Sequence, residues 1–105
     1  MDAFRLIYKI LKFLEASLHV EEFPLEQFKC ENFKVSEQYF KEILKMLCDD
    51  GYVKGITFVQ VLGQTTPGLK YIKPEITIKG LEYLEENSMM KKAADIAKGI
   101  IEIIK

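Results

Sequence analysis

The chain has 105 residues, 49% hydrophobic and 30% charged, with a formal net charge of −1; this is one domain of ordinary globular balance, large enough to fold without disulfides or metal. No run approaches the roughly 20 apolar residues of a membrane span, and Arg5, Lys9 and Lys12 interrupt the N-terminal apolar residues where a secretory signal would be unbroken. A near-neutral chain also lacks the basic excess of a protein that grips nucleic acid through phosphates alone, so any DNA affinity has to come from a local basic patch.

Residues 3–18 have the spacing of an amphipathic helix. Ala3, Phe4, Ile7, Ile10, Leu11, Leu14 and Leu18 share one face, widened by Leu6 and Phe13, with Arg5, Lys9 and Lys12 opposite and Asp2 at the N-cap position. Residues 19–23 form a break. Pro24 suits the first turn of a second helix, residues 24–31, carrying Leu25, Phe28 and Cys30. Residues 31–35 read as a turn, and Ser36 as the cap of a third helix spanning 36–50. Its apolar face is Phe40, Ile43, Leu44 and Leu47. Its polar face is Gln38, Lys41, Glu42, Lys45 and Asp49, and Gly51 stands where a C′ glycine ends a helix.

Residues 52–76 read as a β-hairpin. The first strand, 52–62, is rich in Val, Ile, Phe and Thr, and Gly63-Gln-Thr-Thr-Pro-Gly68 is turn chemistry. The tip is expected to run from Gly63 to Lys70. A shorter strand, Tyr71 to Ile76, is confined to an edge by Pro74. Thr77 caps a helix over 77–87 containing Leu81 and Leu84, and Asn87-Ser88 reads as a corner that starts a last helix, 88–105. Met89, Ala93, Ile96, Ala97, Ile100, Ile101, Ile103 and Ile104 make that helix apolar over about half its circumference. Such a face packs either on the first helix or on the same helix of a second copy, and Ile96, Ile100, Ile101, Ile103 and Ile104 are its candidate packing or dimer residues.

Helix, helix, helix, strand, wing, strand, helix, helix is an α+β order. The three-helix helix-turn-helix core followed by a two-stranded wing is a winged helix, here with two C-terminal helices.

Catalytic and metal chemistry finds little support. His19 is the only histidine, with Glu21 and Glu22 beside it in a loop, and no zinc-ligand spacing joins it to Cys30 or Cys48. The cysteines sit among apolar neighbours and read as small core residues of a reduced, cytoplasmic protein. No nucleophile motif is present, and the Gly63–Gly68 loop lacks the Gly-Lys-Ser/Thr ending and the following helix of a phosphate-binding loop. Asp49-Asp50 and Glu85-Glu86 read as solvated charges. The expectation is a binding protein, without catalytic residues, metal or cofactor.

The segments FRLIYKILKFLE, VSEQYFKEILKMLCDDGYVKGITF and ITIKGLEYLEENSMMKKA resemble, in this order and spacing, the YjcQ family of small winged-helix proteins from Gram-positive bacteria and their prophages. The resemblance covers essentially the whole chain. It implies a winged-helix fold and a DNA-binding or regulatory role, and it assigns no site residues.

Two functional readings follow. In the first, the protein is a phage-related transcriptional regulator that reads double-stranded DNA. Ser36, Gln38, Lys41 and Lys45 of helix 36–50 would enter the major groove, while Gln64, Lys70 and Lys73 of the wing meet phosphates. A homodimer through the C-terminal helix would double this footprint. In the alternative, the winged helix is a protein–protein interaction module. Glu37, Glu42 and Asp49 roughly cancel the lysines of the third helix, Glu37–Lys41 has i,i+4 pairing geometry, and the only arginine, Arg5, lies on the first helix. Charge separates the two: a basic third helix and wing favour DNA, and a mixed or acidic surface favours protein.

Overall fold

A computed structural model describes residues 3–59, 63 and 68–97. In chain order they form helix α1 (Ala3–Ser17), a 3₁₀ turn (Leu25–Gln27), the short helix α2 (Cys30–Phe33), helix α3 (Glu37–Asp49), strands β1 (Val53–Val59) and β2 (Gly68–Ile76), and the long helix α4 (Ile78–Ala97). This is an α+β arrangement of helices around one antiparallel hairpin. Within the described residues, no helix is long and apolar enough to cross a membrane.

The buried stripe of α1 is Leu6, Ile10, Leu11 and Leu14. Two residues expected on that face lie on the surface. Phe4 is at the exposed first turn, and Leu18 falls one residue beyond the helix. The buried side of α3 is Phe40, Ile43, Leu44 and Leu47, as the helical spacing predicts. Val53, Ile76 and Leu84 bring the hairpin base and α4 into the same core.

The region between α1 and α3 departs from the expected helix over 24–31. The chain makes a 3₁₀ turn, leaves helical geometry at Phe28 (φ −90°, ψ 75°) and Lys29 (φ −147°, ψ 158°), and re-enters it at Cys30. Residues 31–33, expected in a turn, therefore belong to α2. Burial is the physical reason. Phe28 and Phe33 are both buried, and five residues apart on one helix they would point about 140° away from each other. Breaking the helix lets both rings face inward. Phe28 becomes the hub of an aromatic cluster, with ring centroids 5.4–5.6 Å from Phe13, Phe23, Phe40 and Tyr71 and 6.1 Å from Phe33. These are spacings at which edge-to-face rings attract.

The hairpin pairs Val53 with Ile76 and Lys54 with Glu75, then Ile56 with Tyr71 through Val59 with Gly68. Gly55 thus faces the three residues Ile72, Lys73 and Pro74, a bulge in β2. Gly55 has φ +84°, and a Cβ there would overlap the Lys73 carbonyl. Pro74, which has no N–H to give a ladder, falls in this bulge. β2 starts earlier than Tyr71. Gly68, Leu69 and Lys70 complete the ladder opposite Val59, Phe58 and Thr57, so Lys70 belongs to the strand and not to the tip.

The expected corner at Asn87-Ser88 is absent, and α4 runs through it. The Asn87 side-chain amide donates to the Tyr83 carbonyl (2.9 Å) and the Ser88 hydroxyl to the Glu85 carbonyl (2.9 Å). Both side chains bond back into the helix they occupy, an alternative to capping a new one. Ile96 lies within α4. Ile100, Ile101, Ile103 and Ile104 lie outside the described residues, as does the rest of the expected helix end.

Candidate recognition surface

The surface in question is the outward side of α3 with the adjoining hairpin. Ser36 starts α3 as expected: its backbone is extended and its Oγ accepts the Tyr39 N–H at 3.2 Å. The far end closes with Gly51 at φ +85°. The Tyr52 N–H reaches the Leu47 carbonyl (2.8 Å) and the Gly51 N–H the Cys48 carbonyl (3.1 Å), the paired bonds of a Schellman motif. α2 ends the same way, with Val35 N–H to Cys30 and Lys34 N–H to Glu31. There the left-handed position is taken by Lys34 (φ +60°) instead of glycine.

The corner after α3 is tied to the start of α4. The Thr77 hydroxyl donates to the Gly51 carbonyl (2.6 Å), and its oxygen accepts the Gly80 N–H (3.2 Å), which makes Thr77 the cap the sequence predicts. Lys79 Nζ donates to the Asp50 carbonyl (2.9 Å) and stands 4.8 Å from the centre of the Tyr52 ring. The angle between α3 and the hairpin is thereby held by bonds from α4.

Both lysines expected to face DNA from α3 are engaged with acids of their own helix. Lys41 Nζ lies 3.1 Å from Glu37, and Lys45 Nζ 2.9 Å from Asp49. Hydrogen bonding to Asp49 raises the Lys45 pKa above its ordinary value. In each pair the acid is the more exposed partner: 72% for Glu37 against 26% for Lys41, and 61% for Asp49 against 43% for Lys45. On the hairpin, Glu75 draws both Lys73 (3.7 Å) and Lys54 (3.9 Å). Gln38 and Lys70 are exposed, and Gln64 lies outside the described residues. The structure therefore brings Ser36, Gln38, Lys41 and Lys45 onto one helix and Lys70 and Lys73 onto β2, on a surface of mixed sign.

The Lys54–Glu75 pairing escaped sequence reasoning because it depends on strand register, whereas Lys73 and Glu75 lie two residues apart on β2. Lys45–Asp49, by contrast, was readable from its i,i+4 spacing. Cys30 and Cys48 are free thiols packed at the core edge. Burial, with the Asp49 charge second, pushes the Cys48 thiol up to about 11, and burial raises Cys30 as well. These are the thiols of unreactive packing residues. His19 is exposed, and among the described residues no three His, Cys, Asp or Glu side chains gather as a metal site requires.

These features define a small α+β protein whose helices and hairpin share one apolar core and present a charge-balanced helix to solvent. The chain belongs to the YjcQ family: the family model described as YjcQ protein matches residues 8–103. It is 34% identical over 71 residues to the Bacillus subtilis (strain 168) protein named "Uncharacterized protein YjcQ", an overlap of 68% of this chain and 71% of that relative. No solved structure matches it.

Proposed function

We propose that the protein is a winged-helix module that acts by binding a protein partner through α3, with no catalytic role. The element order, with a capped third helix entering a hairpin directly, supports the winged-helix assignment. The observation that carries the functional reading is the exposure order on α3. A partner approaching this helix meets Glu37 and Asp49 ahead of Lys41 and Lys45. A phosphate backbone is repelled by that order, whereas a protein surface of mixed charge is complementary to it.

A second reading, double-stranded DNA binding by a regulator of transcription, is favoured by one specific observation. Gln38 is exposed, and Lys70 is exposed and in no ion pair among the described residues. Exposed i,i+4 pairs are moreover worth only about 0.3–0.5 kcal/mol, so Lys41 and Lys45 can exchange their acids for phosphates.

One experiment ranks the readings. A photo-crosslinking amino acid placed at Gln38, in the cells that make the protein, is expected to yield protein adducts. A low-salt titration with pooled genomic duplex fragments is expected to show no binding. Duplex binding with a salt slope near −0.9 per phosphate contact, flattened by Lys41→Ala, Lys45→Ala and Lys70→Ala, would put the DNA reading first.

A further inference from the structure

The loop after α1 and the bulged end of β2 flank a small groove of mixed polar and apolar lining, and none of its lining residues belongs to α3. Leu14, Leu18, Val20 and Phe23 line one side, and Lys73, Pro74 and Glu75 the other, around a volume of about 140 Å³. Cofactor and small-molecule pockets start at about 300 Å³. This groove has the size for one or two side chains. Leu18 and Val20, at 52% and 53% exposure, stand open at its mouth, and Leu25 is similarly exposed further along the same loop. Exposed apolar side chains gathered at a concavity mark an interaction surface.

Charge indicates what fits there. From Leu18 to Phe28 the chain carries Glu21, Glu22 and Glu26 and no lysine or arginine. All three glutamates are exposed, and none is in an ion pair among the described residues. On the facing wall Glu75 is shared between Lys73 and Lys54, which leaves one positive charge in excess there against three negative ones on the loop. Glu21 lines this groove, and Glu22 and Glu26 line the adjoining concavity that shares Phe23 with it, so the loop side of the groove is acidic.

We propose that this groove receives a segment of a partner protein that seats one or two apolar side chains between Leu18, Val20 and Pro74 and brings lysines or arginines to Glu21, Glu22 and Glu26. Apolar anchors in the pocket supply affinity, and the acidic rim supplies steering and selectivity. The proposal is independent of what α3 binds.

The test is selection of a random dodecapeptide library displayed on phage against the immobilised full chain. Two variants are run in parallel, Leu18→Ser/Val20→Ser and Glu21→Gln/Glu22→Gln/Glu26→Gln. All five positions are exposed, so both variants are expected to keep the parental melting temperature. Enriched peptides are expected to combine Leu, Ile or Phe with Lys or Arg, and to bind each variant at least about tenfold more weakly, the loss expected of a removed anchor or rim. Three results overturn the proposal: no enrichment, enrichment of peptides without basic residues, or equal binding to the variants. Sedimentation of the full chain covers the remaining occupant. A dimer abolished by either variant would assign the groove to a second copy instead.

Discussion

At single residues, the two helix ends that use left-handed backbone make opposite predictions. Gly51 and Lys34 occupy equivalent positions in two Schellman motifs, yet only Gly51 is free of the Cβ penalty that this conformation imposes. Gly51→Ala is expected to cost about 1 kcal/mol, and Lys34→Gly to gain about 0.5–1 kcal/mol; urea unfolding of the two variants checks both signs. Alkaline stability is also set at single residues. Burial raises the Cys48 thiol from 9.0 to about 11 and the Tyr71 phenol from 10.0 to about 12. A group that holds its proton more tightly when folded stabilises the fold fully below its unfolded pKa and loses that contribution as pH rises through its folded value. Stability is therefore expected to fall from about pH 9 upward. Cys48→Ala should flatten the fall between about pH 9 and 11, and Tyr71→Phe between about pH 10 and 12. Unchanged curves from pH-dependent melts of both variants would contradict this assignment.

Among the elements, α4 gives the clearest test, because two descriptions of Asn87 predict opposite outcomes. Were Asn87-Ser88 a corner with a capping side chain, Asn87→Ala would cost about 1 kcal/mol. In the continuous helix, Asn87 bonds back to Tyr83, and alanine is the better helix former by several tenths of a kcal/mol. The variant is expected to melt at or slightly above the parental temperature, and a fall of several degrees would restore the corner. α3 shows a different balance between levels. Its apolar face follows directly from its spacing, whereas its outward charge depends on which member of each ion pair stands further into solvent. The lysines alone suggest a basic helix, and the acids beside them change its character.

For the whole molecule, the aromatic hub determines where α3 and the hairpin sit. Phe28 touches rings from α1, α2, α3 and β2 together with Phe23 of the loop. Its removal is expected to cost about 3–5 kcal/mol, and to loosen every surface built on the core at once. Calorimetry on Phe28→Ala, compared with Phe28→Leu, checks this, with the smaller cavity of the leucine variant expected to recover part of the loss. A drop below about 1 kcal/mol for the alanine variant would show that the cluster is peripheral. The outward face of α3 and the groove beside α1 share this core, and of the recognition surface only Lys73 and Glu75 on β2 also line the groove, so partner binding at one is expected to survive substitutions at exposed α3 or loop positions of the other.

By itself the sequence determined the α+β order, the family, both ends of α3, the buried face of α3 and the centre of the buried face of α1, but not the exposure of Phe4 and Leu18 at its ends. These follow from local rules: periodic burial, Ser36 and Thr77 as caps, and Gly51 as a stop, each acting over three or four residues. It did not determine the broken helix at Phe28, the bulge opposite Gly55 or the continuity of α4. In the first two a distant partner decides, and in the third a local choice between capping and back-bonding. Phe28 turns inward to meet Tyr71 and Phe40, Gly55 accommodates the Lys73 carbonyl across the ladder, and Asn87 and Ser88 spend their polar groups on the helix that passes through them. The recognition surfaces belong with the first two. Strand register brings Lys54 to the Glu75 that Lys73 neighbours along β2, and Leu18, Val20 and Pro74 line one groove because α1 ends against β2, a juxtaposition of residues more than 50 positions apart that no local pattern encodes.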